Sequence, residues 1–239
     1  MNHSENPVYV QIANELRQNI NDGIYKPGDK LPTEEQLSLR FSVNRHTLRR
    51  AISLLKAEGL LRVDQGRGTF VANALIRYPI GKRVRYNETL KAQGHEASFK
   101  LVRSLKIPAE SAVASSLEIK VGTPVALMER LSLADGQPIS IATSYFPLSL
   151  FPDILIHCQQ ICSISKMLGD IYNCDHIRRV TRISARMVKR QDAPLLELPL
   201  NHPILLAESV NVDQHGRVIE YGVARFRGDR MELVFENAL

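Results

Sequence analysis

The chain is poor in cysteine and has no long apolar run. Its 239 residues include three cysteines, Cys158, Cys162 and Cys174. An odd number within one region does not predict a disulfide framework. No apolar stretch approaches the roughly 20 residues that a helix needs to span a bilayer. The polar N-terminus leads directly into a helical pattern and lacks the features of a cleavable signal. These absences favour a cytoplasmic protein without a membrane span.

Several catalytic motifs are also missing. The chain has no Gly-x-Ser-x-Gly elbow, no His-Glu-x-x-His motif and no Gly-x-x-x-x-Gly-Lys loop. His157, Cys158, Cys162, Cys174 and His176 could be grouped as metal ligands, but their spacing fits no familiar closed zinc site. Buried free cysteines are the simpler interpretation. We therefore expect neither an enzyme nor a bound metal or cofactor.

Positive charge is modest overall and concentrated near the amino end. The formal net charge is +6. From residue 40 to residue 67 only two acids, Glu58 and Asp64, oppose a set of basic side chains. The basic residues are Arg40, Arg45, Arg49, Arg50, Lys56, Arg62 and Arg67. A local basic patch is typical of nucleic-acid binding, whereas the plainer interpretation is a solvated helix face.

Residues 31–71 contain the ordered elements of a winged helix-turn-helix. Thr33 followed by Gln36 predicts a capped short helix. Asn44 is a good N-cap for a second helix with apolar residues at helical spacing, and Gly59 can end that helix. Two β-prone runs follow and predict a hairpin, or wing. This order of elements favours DNA binding over a solvated basic face.

The exposed face of the second helix carries the residues expected to contact DNA. Arg45 and Arg49 lie one turn apart, and their planar donors suit phosphates and guanine edges in a major groove. Arg67 at the hairpin tip can enter a narrow, negative minor groove. The predicted DNA-binding residues are Arg45, His46, Thr47, Arg49, Arg50, Arg67 and Gly68.

These motifs resemble the DNA-binding domain of GntR-type bacterial transcription regulators. The similarity rests on residues 31–34, 43–51 and 66–71. One departure is that many relatives have an arginine where this chain has Glu35 or Gln36, which removes a DNA contact there. The resemblance implies a homodimer on double-stranded DNA, with inverted half-sites about one helical turn apart.

The rest of the chain predicts an α+β domain around a mainly antiparallel sheet. Turns at 134–138 and 213–216 each separate two apolar runs and predict hairpins. Helices are predicted over 84–93 and 163–172. The predicted domains are a DNA-binding domain at 1–74, a linker at 75–82 and an effector-binding and dimerisation domain at 83–239.

This second half resembles the UTRA effector domain of the HutC subfamily, which shares its fold with chorismate lyase. The similarity runs from about residue 81 to residue 236. The motifs that carry it are 85–94, 129–138 and 219–230. Within the subfamily, segments 43–52 and 182–186 are most similar to regulators of phosphonate-use operons.

The resemblance implies a pocket beside the sheet for small acids, amino-acid derivatives or phosphorylated sugars. The effector-binding residues that carry over are Arg130, Ser163, Ser165 and Glu220, with Arg85 as a weaker candidate. Arg130 can meet a phosphonate bidentately, and Glu220 can take an ammonium, so 2-aminoethylphosphonate suits both. Ser132 and Phe226 replace an arginine and a tyrosine of relatives that bind phosphorylated amino sugars, which indicates a smaller ligand. The alternative is that Arg130 and Glu220 are structural and ion-paired across strands.

We therefore expect a ligand-responsive bacterial DNA-binding transcription regulator, a repressor of genes for phosphonate uptake or degradation. One alternative is a HutC-type regulator that responds to another small acid or a sugar phosphate. The other is a small-molecule lyase with an accessory DNA-binding domain, which rests on fold similarity alone. The residues do not distinguish a repressor from an activator.

Overall fold

The computed structural model describes residues 6–64, 66–72, 75–159 and 163–236. The chain divides into two units, residues 1–74 and 75–239, each with a hydrophobic core of its own. The described elements of the first unit are α1 (Val8–Asn21), α2 (Glu34–Arg40), α3 (Arg45–Ala57), β1 (Leu61–Asp64) and β2 (Gly68–Val71).

The predicted caps of α2 and α3 are confirmed. The Thr33 hydroxyl accepts a hydrogen bond from the Gln36 backbone N–H at 3.2 Å, and the Gln36 side chain accepts one from the Thr33 N–H at 2.9 Å. The Asn44 side chain accepts from the Thr47 N–H at 2.8 Å. Between the two helices Ser42 adopts a φ of 52°, which turns the chain sharply. Gln36 is therefore occupied in holding the start of α2.

The apolar stripes of the helices meet in one core. Leu16, Leu37 and Leu48 are almost fully buried there. The complete set of buried core residues is Ile12, Ala13, Leu16, Leu31, Leu37, Leu48, Ala51, Ile52, Leu55, Leu61 and Val71. Because full burial of one leucine contributes about 1.5–3 kcal/mol, this core holds α3 in place and leaves its opposite face at the surface.

The second unit is built on one large antiparallel sheet. Its described elements are β3 (Ile76–Pro79), α4 (Tyr86–Ala92), β4 (Ala97–Pro108), α5 (Ser111–Leu117), β5 (Pro124–Ala134), β6 (Gln137–Pro147), α6 (Ile154–His157), α7 (Ile164–Tyr172), β7 (Ile177–Met187), β8 (Pro203–Val212), β9 (Val218–Arg227) and β10 (Met231–Val234). The sheet has the strand order β4-β5-β6-β9-β8-β7. Both predicted hairpins are confirmed as β5–β6 and β8–β9.

The segment 75–82 differs from the predicted linker. Within it β3 pairs in parallel with β10, with Ile76 opposite Met231. Ile76 and Tyr78 are buried in a core cluster of the second unit. Local periodicity could not reveal this strand because its partner lies near the other end of the chain.

Across the described residues, no helix is both long enough and apolar enough to cross a membrane.

Candidate functional site

The amino-terminal half of α3 presents most of the predicted DNA-contacting side chains at the surface. Arg45, His46 and Arg49 are exposed, and Thr47 is half-buried. The first turn of α3 contains no acidic residue. The positive end of the helix therefore adds to the arginine charges, an arrangement that attracts phosphate groups.

The fold brings two acids of α2 beside these arginines. The Arg49 Nε atom lies 2.9 and 3.1 Å from the two carboxylate oxygens of Glu34. The Arg45 guanidinium lies 3.9 Å from the Glu35 carboxylate. Both acids precede residue 40, outside the basic segment, so the local charge pattern did not indicate that they would lie beside these arginines. Exposed ion pairs contribute only about 0.2–1 kcal/mol, so a DNA phosphate can displace these carboxylates.

Arg50 has a contact of its own within the unit. Its guanidinium lies 4.1 Å from the centre of the Tyr9 ring, which links α3 to α1. A cation–π contact of this kind contributes about 0.5–1 kcal/mol at an exposed site. The supporting role of Arg50 at DNA stays a prediction.

The wing presents Arg67 at its turn. Arg67 is exposed, and its backbone N–H donates to the Asp64 carbonyl at 3.0 Å. Gly68 follows with a φ of 123°, and a Cβ there would lie 2.7 Å from the Lys30 side chain. The flexible end of the Lys30 side chain could move aside, so it is the positive φ that favours glycine at position 68, beside Arg67.

Removal of the Glu34 charge tests whether Glu34 competes with DNA for the Arg49 guanidinium. Glu34→Gln should strengthen binding of duplex DNA by up to about fivefold, because the competing ion pair is lost and one negative charge leaves the surface. Fluorescence anisotropy at fixed salt measures this effect. Glu58→Gln is the matched control, since Glu58 pairs with Arg17 at the far end of α3. Equal affinities for the two variants would contradict the interpretation.

The second unit contains a partly open cavity of about 150 Å³. Its floor is one face of the large sheet, and its walls come from the segment 78–87, the start of α7 and the start of β7. Small side chains from adjacent strands form two rows across the floor. These rows are Ala142, Ala224 and Ala207, and Ser144, Gly222 and Ser209. The cavity exists because these side chains are too short to fill the space above the sheet.

Aromatic rings close one side of the cavity. Tyr78 and Tyr86 meet edge to face with ring centres 5.0 Å apart, and Phe226 lies 6.0 Å from Tyr78. The Tyr86 hydroxyl is 2.8 Å from the Ser140 hydroxyl. Burial raises the pKa of Tyr86 well above its usual value, and the hydrogen bond to Ser140 offsets only part of that effect. Tyr86 therefore stays neutral and adds no negative charge to the cavity.

Arg130 lines the cavity from β5. Its guanidinium lies 3.9 Å from the centre of the Phe99 ring, and the residue is 7% exposed. The preceding residue, Glu129, faces the other side of the sheet and pairs with Arg225 at 2.8 Å. Strand alternation explains why Arg130 faces the cavity. A ring-stacked guanidinium is held in position to meet an anion.

Glu220 lines the same cavity and is almost fully buried. Its Oε2 atom lies 2.5 Å from His176 Nε2 and accepts a hydrogen bond from Asn211 Nδ2 at 2.6 Å, and Asn211 Nδ2 also lies 3.1 Å from His176 Nε2. Burial by itself would raise the pKa of Glu220. The electrostatic interaction with His176 and hydrogen bonds with His176, Ser144 and Asn211 outweigh burial and hold the pKa of Glu220 below its usual value. Glu220 is thus an ionised carboxylate with partners inside the protein.

Both predicted serines line the cavity. Ser163 is the N-cap of α7, where its side chain accepts from the Lys166 N–H at 3.3 Å. The Ser165 hydroxyl donates to the Val84 carbonyl at 2.8 Å and lies 2.9 Å from His176 Nδ1. Ser165 therefore positions His176, a role that the sequence did not suggest.

Arg85 was expected as a weaker effector ligand, and the structure places it elsewhere. It is exposed at the N-cap of α4, lies 3.7 Å from Glu88 and does not line the cavity. The backbone turns into α4 at this point, which directs Tyr86 rather than Arg85 inward.

Sequence reasoning missed Arg178, His176 and Asn211 as lining residues. Arg178 donates to the carbonyls of Gly81 and Arg83 at 2.8 and 3.3 Å and also to the Tyr78 hydroxyl. Asn211 could have been found, because the register of the β8–β9 hairpin places it opposite Glu220. Nothing local marks His176 or Arg178.

Cys158 and Cys174 are buried free thiols. Burial raises the pKa of Cys174 to about 11, which makes the thiol unreactive at neutral pH. Cys162 lies outside the described residues. Within the part of the chain that the structure describes, no three His, Cys, Asp or Glu side chains are grouped so that they could hold a metal ion.

Two family models match the chain. The one described as bacterial regulatory proteins, gntR family, matches residues 8–71, and the one described as the UTRA domain matches residues 92–232. The first covers the helix-turn-helix and wing, and the second covers most of the large sheet.

Individual relatives match nearly the whole chain. The uncharacterized HTH-type transcriptional regulator RB1450 of Rhizobium meliloti is 35% identical over 96% of this chain and 94% of its own length. The probable transcriptional regulator PhnF of Escherichia coli is 34% identical over 96% of this chain and 95% of its own length. The crystal structure of PhnF from Mycobacterium smegmatis superposes with a TM-score of 0.69 at 29% identity, covering 95% of this chain and 99% of that one.

Proposed function

Because the chain belongs to the GntR family of bacterial transcription regulators and carries a UTRA domain, we propose that it represses genes for phosphonate uptake or degradation. A small phosphonate such as 2-aminoethylphosphonate binds the cavity of the second unit and releases the protein from DNA. The protein acts in the cytoplasm, where it meets the bacterial chromosome.

The size and charge of the cavity carry the proposal. An engineered cavity of about 150 Å³ holds one benzene molecule, so this cavity suits ligands of roughly six to eight non-hydrogen atoms. 2-Aminoethylphosphonate has about seven and fits inside the cavity, whereas a hexose phosphate has about sixteen and would extend through its opening. Arg130 and Arg178 both line the cavity, which favours an anion.

The first unit supports a specific mode of DNA binding. Arg45, Thr47 and Arg49 contact bases and phosphates in a major groove, and Arg67 enters the adjacent minor groove. Two copies of the chain bind inverted half-sites about one helical turn apart. The effector stabilises a dimer arrangement in which the two wings no longer align with the two half-sites. This requires the effector to bind that arrangement more tightly than the DNA-binding arrangement.

Selection of duplexes from random DNA, followed by an anisotropy titration, tests the proposal. The protein should prefer inverted repeats over random DNA, and millimolar 2-aminoethylphosphonate should weaken that binding at least tenfold at constant salt. A reporter gene behind the selected repeat should be expressed more strongly when the effector is added. If the effector instead strengthens DNA binding and expression rises, the protein is an activator. No preference for any inverted repeat would overturn the proposal.

A further inference from the structure

The chain enters the second unit along a wall of the cavity. We call residues 76–84 the entry segment, because the second unit begins at residue 75. The segment contains β3 and residues 80–84, and its side chains Tyr78, Ile80 and Val84 line the cavity. A ligand that changes this wall therefore acts on the part of the chain that connects the second unit to the first.

Four successive carbonyl groups of the entry segment accept hydrogen bonds from two residues of the cavity. The carbonyls belong to Gly81, Lys82, Arg83 and Val84. Arg178 Nη1 donates to the first at 2.8 Å and to the third at 3.3 Å, and the Arg178 backbone N–H donates to the second at 2.8 Å. The Ser165 hydroxyl donates to the fourth at 2.8 Å. Arg178 therefore supplies three of these four hydrogen bonds.

The Arg178 guanidinium contacts the entry segment and lines the cavity at the same time. Its Nη2 atom also donates to the Tyr78 hydroxyl, which stays neutral because burial raises the pKa of Tyr78. In the described part of the chain, this guanidinium donates only to neutral oxygens, which are two carbonyls and one hydroxyl. Hydrogen bonds to an oxyanion are roughly twice as strong as those to neutral acceptors. An anion bound in the cavity therefore competes with the entry segment for Arg178.

We propose that Arg178 couples effector binding to DNA binding, because it binds the anionic group of the effector and in doing so releases the Tyr78 hydroxyl and the entry-segment carbonyls. The held and released arrangements of the entry segment then differ in affinity for the effector, as a population shift requires. This inference rests on the proposed function, since it takes the cavity to be the effector site of a DNA-binding regulator. It assigns Arg178 a binding role beside that of Arg130.

Hydrogen–deuterium exchange of the full-length protein measures the release directly. Two backbone N–H groups report on it, because Val84 donates to the His176 carbonyl at 3.2 Å and Arg178 donates to the Lys82 carbonyl at 2.8 Å. Millimolar 2-aminoethylphosphonate should accelerate exchange of peptides that contain these amides at least fivefold. Arg178→Gln should show the faster exchange without any effector. Unchanged or slower exchange in effector-bound wild-type protein would overturn the inference.

A second experiment separates coupling from binding. Arg178→Gln should bind 2-aminoethylphosphonate at least tenfold more weakly in calorimetry. At effector concentrations that saturate this variant, its affinity for a selected inverted repeat should change by less than twofold, whereas that of wild-type protein falls at least tenfold. Arg179→Gln is the matched control and should behave as wild type, because Arg179 is the exposed neighbour on β7, pairs with Glu118 and does not line the cavity. Thermal unfolding reports whether each variant folds.

The outcomes distinguish this inference from the proposed function. Weaker effector binding by Arg178→Gln with a normal response at saturation makes Arg178 a ligand contact without a coupling role. Normal effector binding by Arg178→Gln overturns its binding role. If 2-aminoethylphosphonate does not bind wild-type protein although an inverted repeat does, the effector class of the proposed function fails. The hold of Arg178 on the entry segment is then judged in effector-free protein, where equal exchange in Arg178→Gln and Arg179→Gln overturns it.

Discussion

Replacement of Arg130 by alanine is expected to weaken effector binding by about 2–5 kcal/mol, or roughly 30- to 5,000-fold. The reason is that Arg130 is buried and stacked on Phe99 in the cavity wall. A ligand anion that loses this partner remains desolvated without compensation. Calorimetry with small phosphonates measures the loss. The same variant should remain bound to operator DNA at effector concentrations that release wild-type protein.

The control for this experiment is Arg85→Ala, which removes the same charge from an exposed residue outside the cavity and should bind effector normally. Arg130→Lys keeps the charge but loses the planar pair of donors, so its affinity should lie between those of wild type and alanine. Equal binding heats for wild type and Arg130→Ala would remove Arg130 from the effector site.

Replacement of Arg49 by alanine is expected to weaken operator binding by about 1–3 kcal/mol, or roughly 5- to 150-fold. Arg49 lies near the start of α3, is exposed, and is held by Glu34. If it reads a base, the loss should be concentrated on the selected operator, and discrimination should relax at one base pair of each half-site. Anisotropy titrations of operator and random duplexes at the same salt concentration give both quantities.

Arg190→Ala, an exposed substitution in the second unit, is the matched control for net charge. An equal loss by Arg49→Ala on operator and random DNA, with a smaller dependence on salt, would reassign Arg49 to a phosphate contact. Unchanged operator affinity would remove Arg49 from the interface.

The local elements of the fold could be predicted because each depends on neighbours in sequence. The Thr33–Gln36 capping box spans three residues, and the β5–β6 hairpin needs only a short turn between two apolar runs. The β3 strand was predicted as a linker because its partner, β10, is distant in sequence. Parallel pairing at long range leaves no periodic or turn signal near residue 76.

The residues that line the cavity likewise divide into those that the sequence could predict and those that it could not. Arg130 and Glu220 could be proposed from sequence because each stands in a strand motif that resembles a known domain. His176 and Arg178 could not, since they line the cavity from the residue before β7 and from the beginning of β7, which is an edge strand of the sheet. Likewise Glu34 and Glu35 oppose the α3 arginines only because α2 packs against α3.

The amino-acid sequence by itself determined the two-part architecture, the capped helix α3 and its exposed basic face, because caps, apolar periodicity and charge runs act over a few residues. Only the tertiary structure decided which charged side chains line the cavity of the second unit. Two partners of Glu220 are His176, which immediately precedes β7, and Asn211 in β8. The space above the sheet exists because short side chains from β6, β9 and β8 align in register. Which side chains pair with Glu220 depends on which strands are neighbours, and the strand order is determined only when the whole sheet assembles.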